Sequence, residues 1–455
     1  MLFVTFITLA VLVTGTSFLL TCHFWEHRRF ARGSFRVDRE PHFVGRVGLI
    51  VPCKGVDIKL KENLACLFDQ SYDDYEIYFV VEQQNDPACE VIRNLIHDEA
   101  SIAAHLIVSG LTQEHGQKIH NLLCGYQALS PEVKTIVFAD CDVAPDRDWL
   151  SRLVAPLDKV NVHAVSSYRW FMPQKDTFAN FLLASINAAA MGLVCSRRQA
   201  VIWGGSWAVS RRTFNGAEIP QRWKSYISDD LVATSRFNRL RLNIHFEPRC
   251  VVKSPVDYSF VGMWEFLRRQ CFMGRRYLPK RWIAGVAYTS LSMLAFWGGL
   301  LGGAALAVSG RPVAGSLGLA TAGVLWILSA LRARWRQDAS RLYVRDETLG
   351  LKRARWFDIC GYPLTLTTLW CGLVSVAVAR CIRWRGIAYH LSRKGAVLRV
   401  EREYTPEKVQ GPLLIASTAN LPQREPIPAE FPRLALYSDE ASTDAEHPVD
   451  RRRIA

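Results

Sequence analysis

Apolar and polar positions along the 455 residues follow two different rhythms. In the first half, short β-prone runs end in polar turns and give way to stretches of helical period. Val47–Val51 is stopped by Pro52, and Leu60–Asp69 follows with Leu60, Leu64, Leu67 and Phe68 on one helical face. Glu76–Val81 is the second run, closed by Glu82, Gln83, Gln84, Asn85 and Asp86, and Pro87–His97 reads as a helix. Residues 103–108, a helix over Lys118–Leu129 and the run Thr135–Ala139 repeat the cycle. This alternation predicts an α/β fold on a parallel sheet, which binds ligands at the carboxyl edge of its strands.

The second rhythm is one of long uncharged stretches. Residues 1–25 contain no Asp, Glu, Lys or Arg, and neither do Ile283–Gly310, Pro312–Leu331 or Ile359–Ala379. Each is long enough to cross roughly 30 Å of hydrocarbon. The first has no positive leading segment, so it predicts an uncleaved anchor. The chain divides into an anchor (1–25), a soluble domain (40–282), a membrane region of two to three spans (283–380) and a disordered tail (404–455). It reads as an integral, multi-pass membrane protein. The basic run His27-Arg28-Arg29 with Arg32 predicts that the large domain faces the cytosol. The charge count does not close, however. Basic residues follow both Pro312–Leu331 and Ile359–Ala379, so either the latter turns back within the membrane or a span is miscounted.

Charge and cysteines narrow the partners. Lys and Arg number 56 against 42 Asp and Glu, for a net +14. Arginines and tryptophans crowd beside the apolar stretches, which points to the lipid bilayer and to no nucleic acid. Twelve scattered cysteines without a C-x-x-C pair predict reduced thiols and no zinc site. Phe178–Cys195, almost all apolar, is either a buried helix or a helix lining the path of a lipid.

The candidate chemistry starts at the end of Thr135–Ala139, where Asp140 and Asp142 stand one residue apart. Two carboxylates there suit Mg²⁺ or Mn²⁺ bridging two phosphates; the same pair would also cap a turn. Ser228-Asp229-Asp230 ahead of an apolar run is a good helix N-cap, and equally a source of a general base. Trp203-Gly204-Gly205-Ser206-Trp207 is an ordinary tight turn or a place where backbone approaches a ligand closely. No G-x-G-x-x-G or G-x-x-x-x-G-K occurs, which disfavours dinucleotide and P-loop sites.

The segments VPCKGVD, LKENLACLFDQSYDDYEIYFVVEQQNDP, QKIHNLLCGY, FADCDV and SDDLVAT follow one another within residues 40–282. In order and spacing they resemble the motifs of inverting membrane glycosyltransferases of the GT-A fold. They are most similar to the ceramide glucosyltransferase family and its bacterial relatives that glycosylate hopanoids. The resemblance implies a Rossmann-like GT-A domain, a UDP-sugar donor, and a hexose transferred to the hydroxyl of a ceramide- or hopanoid-like membrane lipid. It implies Mg²⁺ or Mn²⁺ at Asp140 and Asp142, and Asp230 as general base with Asp229 in support. Donor contacts are implied for Pro52, Glu82, Gln83, Lys118, Asn121, Gly205 and Ser206, with a solvated helix face the alternative for Lys118 and Asn121. The family's (Gln/Arg)-x-x-Arg-Trp motif is not intact. Arg269, Gln270, Arg275 and Arg276 stand near its place, for a diphosphate or for the membrane interface. The rivals are a polyprenyl-phosphate sugar transferase, a processive polysaccharide synthase and, from another class, an inactive membrane scaffold.

Overall fold

The computed structural model describes residues 2–36, 45–99, 101–195, 200–344, 349–403 and 412–418. Strands β1 (Val47–Pro52), β2 (Tyr75–Val81), β3 (Ala103–Val108) and β4 (Thr135–Ala139) lie parallel in the order β3-β2-β1-β4. Both faces of these strands are covered, which is why they read as unbroken apolar runs. Beyond β4 come β5 (Ala164–Ser166), β6 (Arg169–Pro173), β7 (Ser206–Ser210), β8 (Ile244–Phe246) and β9 (Val252–Val256). Here the sheet departs from the parallel expectation, because β7 runs antiparallel to both β4 and β5. That reversal brings the Gly204-Gly205 loop beside the end of β4, where the Asp140 amide donates to the Gly205 carbonyl at 3.3 Å.

Nine helices matter for the site. They are α1 (Leu2–Ser34), α2 (Gln117–Ala128), α3 (Phe178–Val194), α4 (Asp229–Arg239), α5 (Phe260–Tyr277), α6 (Pro279–Val308), α7 (Pro312–Tyr343), α8 (Leu349–Cys360) and α9 (Tyr362–Ser375). Among the described residues, α1, α6 and α7 are long and apolar enough to cross a membrane. The α6–α7 contact is backbone on backbone: a Cβ on Gly299 would sit 2.7 Å from the Gly318 carbonyl.

The expected fourth span, Ile359–Ala379, is not one continuous helix. It breaks at Gly361, and Pro363 in the first turn of α9 has no N–H to continue the helix before it. The 14 residues of α9 reach only about 21 Å, short of the ~30 Å of a bilayer core. From the α7 end, α8 runs back along α7, and α9 then returns beside α6. Trp297 Nε1 donates to Thr367 Oγ1 at 3.2 Å and Trp370 Nε1 to Ser290 Oγ at 2.9 Å. Both basic flanks of the segment therefore lie at the same end of these helices, which is the turning-back arrangement of the two alternatives.

Beyond α9 the chain folds onto the α/β body. Strands β10 (Cys381–Trp384), β11 (Ile387–Leu391) and β12 (Val397–Arg402) form an antiparallel meander. Strand β13 (Leu413–Ser417) pairs with the free edge of β3, so the tail expected to be disordered from 404 contains a strand; most of that tail lies outside the described residues.

A buried network ties α3, α7 and α8 together. Asp358 accepts from Arg336 Nε at 2.7 Å, Gln337 Nε2 at 2.7 Å and Ser185 Oγ at 2.6 Å. Asp358→Ala strands the Arg336 cation, at a cost of about 3–5 kcal/mol. We expect a large fall in the melting temperature of the detergent-solubilised protein. Replacing both partners, with Arg336→Leu and Asp358→Leu, should recover most of that fall.

Candidate active site

The carboxyl ends of β1, β2 and β4, the amino ends of α2 and α4, helices α3 and α5, and the β10–β11 turn enclose a cavity of about 680 Å³. Pro52, Glu82, Lys118, Asn121, Asp140, Asp142, Asp229, Asp230, Arg269 and Gln270 line it; Gln83, Gly205, Ser206, Arg275 and Arg276 do not.

One ammonium organises the acids. Lys118 Nζ lies 2.8 Å from Asp140 Oδ1 and 3.4 Å from Asp229 Oδ1. Burial alone would lower the Lys118 pKa, but Asp140, Asp229 and Asp230 outweigh it and hold the group above its ordinary value. Burial likewise works to raise Asp140, and Lys118 overrides it to keep that carboxyl low. Asp142 has no such partner: burial and then Asp140 push its carboxyl up, and the nearest cation, Arg169, is 3.8 Å away. Its Oδ1 is buried without a hydrogen bond.

Paired carboxylates with an orphaned oxygen are a donor set for a hard divalent cation, so these residues fit Mg²⁺ or Mn²⁺. Among the described residues no third His, Cys, Asp or Glu joins them. Substrate oxygens would have to complete the shell, as is common for Mg²⁺.

At the start of α4, the cap and base readings divide between residues. The Ser228 side chain caps the helix, and Asp230 Oδ1 accepts from Ser228 Oγ at 2.6 Å and from the Leu231 amide at 2.7 Å. Asp230 Oδ2 accepts from the Gly204 amide at 3.3 Å and the residue stays partly exposed. Asp229 is buried, and its Oδ2 has no partner. Burial, resisted by Lys118 and reinforced by Asp230 and Asp140, pushes its carboxyl up to about 7.

The glycine loop serves the protein's own acids. A Cβ on Gly204 would lie 2.4 Å from Asp229 Oδ2, and one on Gly205 2.6 Å from Asp140 Oδ2. Ser206 is buried behind this floor, where its hydroxyl accepts from Trp149 Nε1 at 2.9 Å. Asn121 is a hub, accepting from Ser109 Oγ at 2.8 Å and Gln117 Nε2 at 3.0 Å and donating to the Val80 carbonyl at 3.2 Å. Glu82 pairs with Lys54 at 2.7 Å and takes the place at the end of β2, leaving Gln83 off the cavity wall.

Arg275 and Arg276 sit about two turns along α5 from Arg269, on the order of 10 Å further. They donate to main-chain carbonyls there, Arg275 to Val376 at 2.8 Å and Ala379 at 2.9 Å, and Arg276 to Ser392 at 3.2 Å.

Other cations take their place around the cavity. Arg385, in the two-residue β10–β11 turn, has φ 49° with Gly386 at φ 73°. It donates to Asp57 Oδ2 at 2.6 Å and to the Lys54 carbonyl. Arg169 lies over the rings of Phe171, Phe266 and Trp203 at 4.8, 5.2 and 5.5 Å. Arg269 sits between Phe266 and Trp384, and burial lowers its pKa to about 10. The Arg383-Trp384-Arg385-Gly386 run resembles a pattern at the family's carboxyl end, and the structure folds it onto the loop after β1, with Arg385 and Asp57 separated by 328 residues in sequence. The lining also has an apolar part, which includes Ala190 and Val194 of α3 with Met273 and Leu278 at the end of α5. So α3 is both buried and cavity-lining.

The family model described as Glycosyl transferase family 21 matches residues 7–397, a span that includes every cavity residue. The chain belongs to this family. It is 31% identical over 93 residues to ceramide glucosyltransferase 1 of Caenorhabditis elegans, a match covering 20% of each chain. It is also 31% identical over 123 residues to the ceramide glucosyltransferase of Komagataella phaffii, covering 26% of this chain and 24% of the relative. These matches span about a fifth to a quarter of the curated relatives' length. Among solved structures, it is similar to mannosyltransferase PcManGT from Pyrobaculum calidifontis, in complex with GDP-Man and Mn²⁺. That likeness has a TM-score of 0.44 at 18% identity and covers 82% of this chain and 97% of the other.

The raised Asp229 carboxyl has a consequence for this family member's stability. Between the unfolded pKa near 3.8 and the folded value near 7, the folded chain binds the extra proton. Stability therefore falls as pH rises through that window. The wild type should lose about 2–4 °C of melting temperature between about pH 5 and pH 8. Asp229→Asn cannot ionise but also removes one of the two carboxylates on Lys118, so it should flatten that decline whatever its absolute stability.

Proposed function

We propose that this chain transfers a hexose from a UDP-sugar to the hydroxyl of a ceramide- or hopanoid-like membrane lipid, with inversion at the anomeric carbon. The observation that carries this reading is the continuity of one cavity. Acids and guanidiniums at the strand ends share its lining with apolar residues of α3 and of α5, the helix that runs directly into α6.

Residue roles follow from position. Asp140 and Asp142 would hold Mg²⁺ or Mn²⁺, which supplies Lewis-acid neutralisation of the leaving diphosphate. Lys118 and Arg385 flank that place, and Arg385 exchanges its bond to Asp57 for a phosphate oxygen, a partner well matched to a guanidinium fork. Asp230 is the base, because it is the partly exposed acid of the pair, and the Gly204 amide and Ser228 hydroxyl fix its carboxylate. It takes the proton from the lipid hydroxyl as oxygen attacks the anomeric carbon, and UDP departs from the opposite face. Asp229, sealed from the acceptor, keeps Lys118 in place. Arg28, Arg29 and Arg32 in the last turns of α1 and Arg332, Arg334 and Arg336 toward the end of α7 support a cytosolic catalytic domain.

The test is product analysis by mass spectrometry, with purified protein, UDP-glucose, UDP-galactose or UDP-N-acetylglucosamine, and ceramide or a hydroxylated hopanoid. A glycosylated lipid should form, and Asp230→Asn should lower kcat about 100-fold or more with donor KM little changed. Donor hydrolysis without glycolipid, or an Asp230→Asn variant at full rate, would contradict this assignment.

A further inference from the structure

A second cavity, of about 400 Å³, lies where α5 passes into α6 and is lined by Arg275, Arg276, Ala377, Val378, Arg380 and Arg393. None of these residues lines the larger cavity. Two of the four arginines are fixed by the main chain, since the carbonyls of Val376, Ala379 and Ser392 receive their N–H groups. Carbonyl dipoles orient a guanidinium without cancelling its charge. Burial lowers the Arg276 pKa, Arg275 and Arg380 add to the effect against Tyr277, and among the described residues no carboxylate offsets it. Arg276 Nε is buried without a hydrogen-bond partner. Arg380 and Arg393 are exposed at the rim, and among the described residues neither is in an ion pair. Four like charges sharing one concavity repel one another unless an anion from outside the protein joins them.

The depth of the cavity says which anion. Helix α6 begins at Pro279, one residue beyond α5, and α9 ends at Ser375, so the arginines stand where the apolar helices emerge. Val378 on the wall is 88% exposed. Trp282 lies under Arg275 at 5.7 Å, in the kind of aromatic position that marks a membrane–water interface. An anion with acyl chains would satisfy the arginines and cover the valine together, whereas free phosphate would leave the valine in water.

We propose that this cavity binds the phosphate of an anionic phospholipid headgroup. The bound lipid clamps the 376–393 segment to the membrane end of α5. Because that segment leads into the β10–β11 turn, the clamp also steadies Arg385 at the larger cavity, a consequence that rests on the donor-site reading above.

Native mass spectrometry of the full chain in detergent, titrated separately with phosphatidylglycerol and phosphatidylcholine, tests the binding without reference to catalysis. We expect the wild type to prefer phosphatidylglycerol by about tenfold or more. The Arg380→Gln, Arg393→Gln double variant should lose that preference while keeping its lipid-free melting temperature, because neither side chain holds the carbonyl cage. Asp230→Asn should bind the lipid as the wild type does, so failure of the catalytic reading leaves this result intact. Equal affinity for the two lipids, or an unchanged preference in the double variant, overturns the proposal. Displacement of phosphatidylglycerol by millimolar inorganic phosphate would overturn the lipid assignment in favour of a free anion.

Discussion

The ammonium of Lys118, shared between Asp140 and Asp229, is the interaction on which the rest of the site depends. It joins α2 to the end of β4 and to the start of α4. Three elements that are distant in sequence are thereby held within a few ångströms, in a place where unpaired acids would be costly. Several local features answer to it. The floor of the site has no Cβ at residues 204 and 205 because Asp229, Asp140 and the Trp203 ring occupy that space. The antiparallel strand β7 carries those glycines to the carboxylates. Asp142 is left outside the pairing, with a buried oxygen unsatisfied. The pocket is balanced on one side and electrostatically incomplete on the other.

The second constraint is the route of the chain through its apolar helices. Because α8 folds back along α7 and α9 returns beside α6, the chain after α9 rejoins the α/β body. The β10–β11 turn then supplies Arg385 and Trp384 to a wall that residues 40–282 alone do not complete. Tyr389 adds a further tie, its hydroxyl accepting from the Gln117 amide at 3.1 Å, one residue before Lys118. The path of the apolar helices and the electrostatics of the pocket are therefore linked through one short hairpin.

Much of this was legible in the residues. The four parallel strands are local apolar runs closed by polar turns, and the acids at their ends follow directly from strand geometry. Asp140, Asp142, Asp229 and Asp230 meet in one cavity as the motifs implied. The features that escaped are those set by long-range partners. The direction of β7 depends on pairing rather than on its own five residues. A 21-residue uncharged stretch, Ile359–Ala379, looks like a span until Gly361 and Pro363 break it, and hydropathy does not weigh that break. Arg275 and Arg276 have the right chemistry for a diphosphate, yet helical rise carries them past the cavity. Arg385 arrives from far along the chain, and no spacing rule relates it to Asp57.

If a nucleotide diphosphate and a divalent cation occupy the incomplete side of the Lys118 cluster, calorimetric titration of UDP into the purified protein is the most direct measurement. With Mn²⁺ or Mg²⁺ present the wild type should bind UDP. Chelation of the metal, or Asp142→Asn, should weaken binding about tenfold or more, equivalent to about 1.4 kcal/mol. UDP bound equally well without a divalent cation and by Asp142→Asn would contradict the assignment of Asp140 and Asp142 to the donor diphosphate.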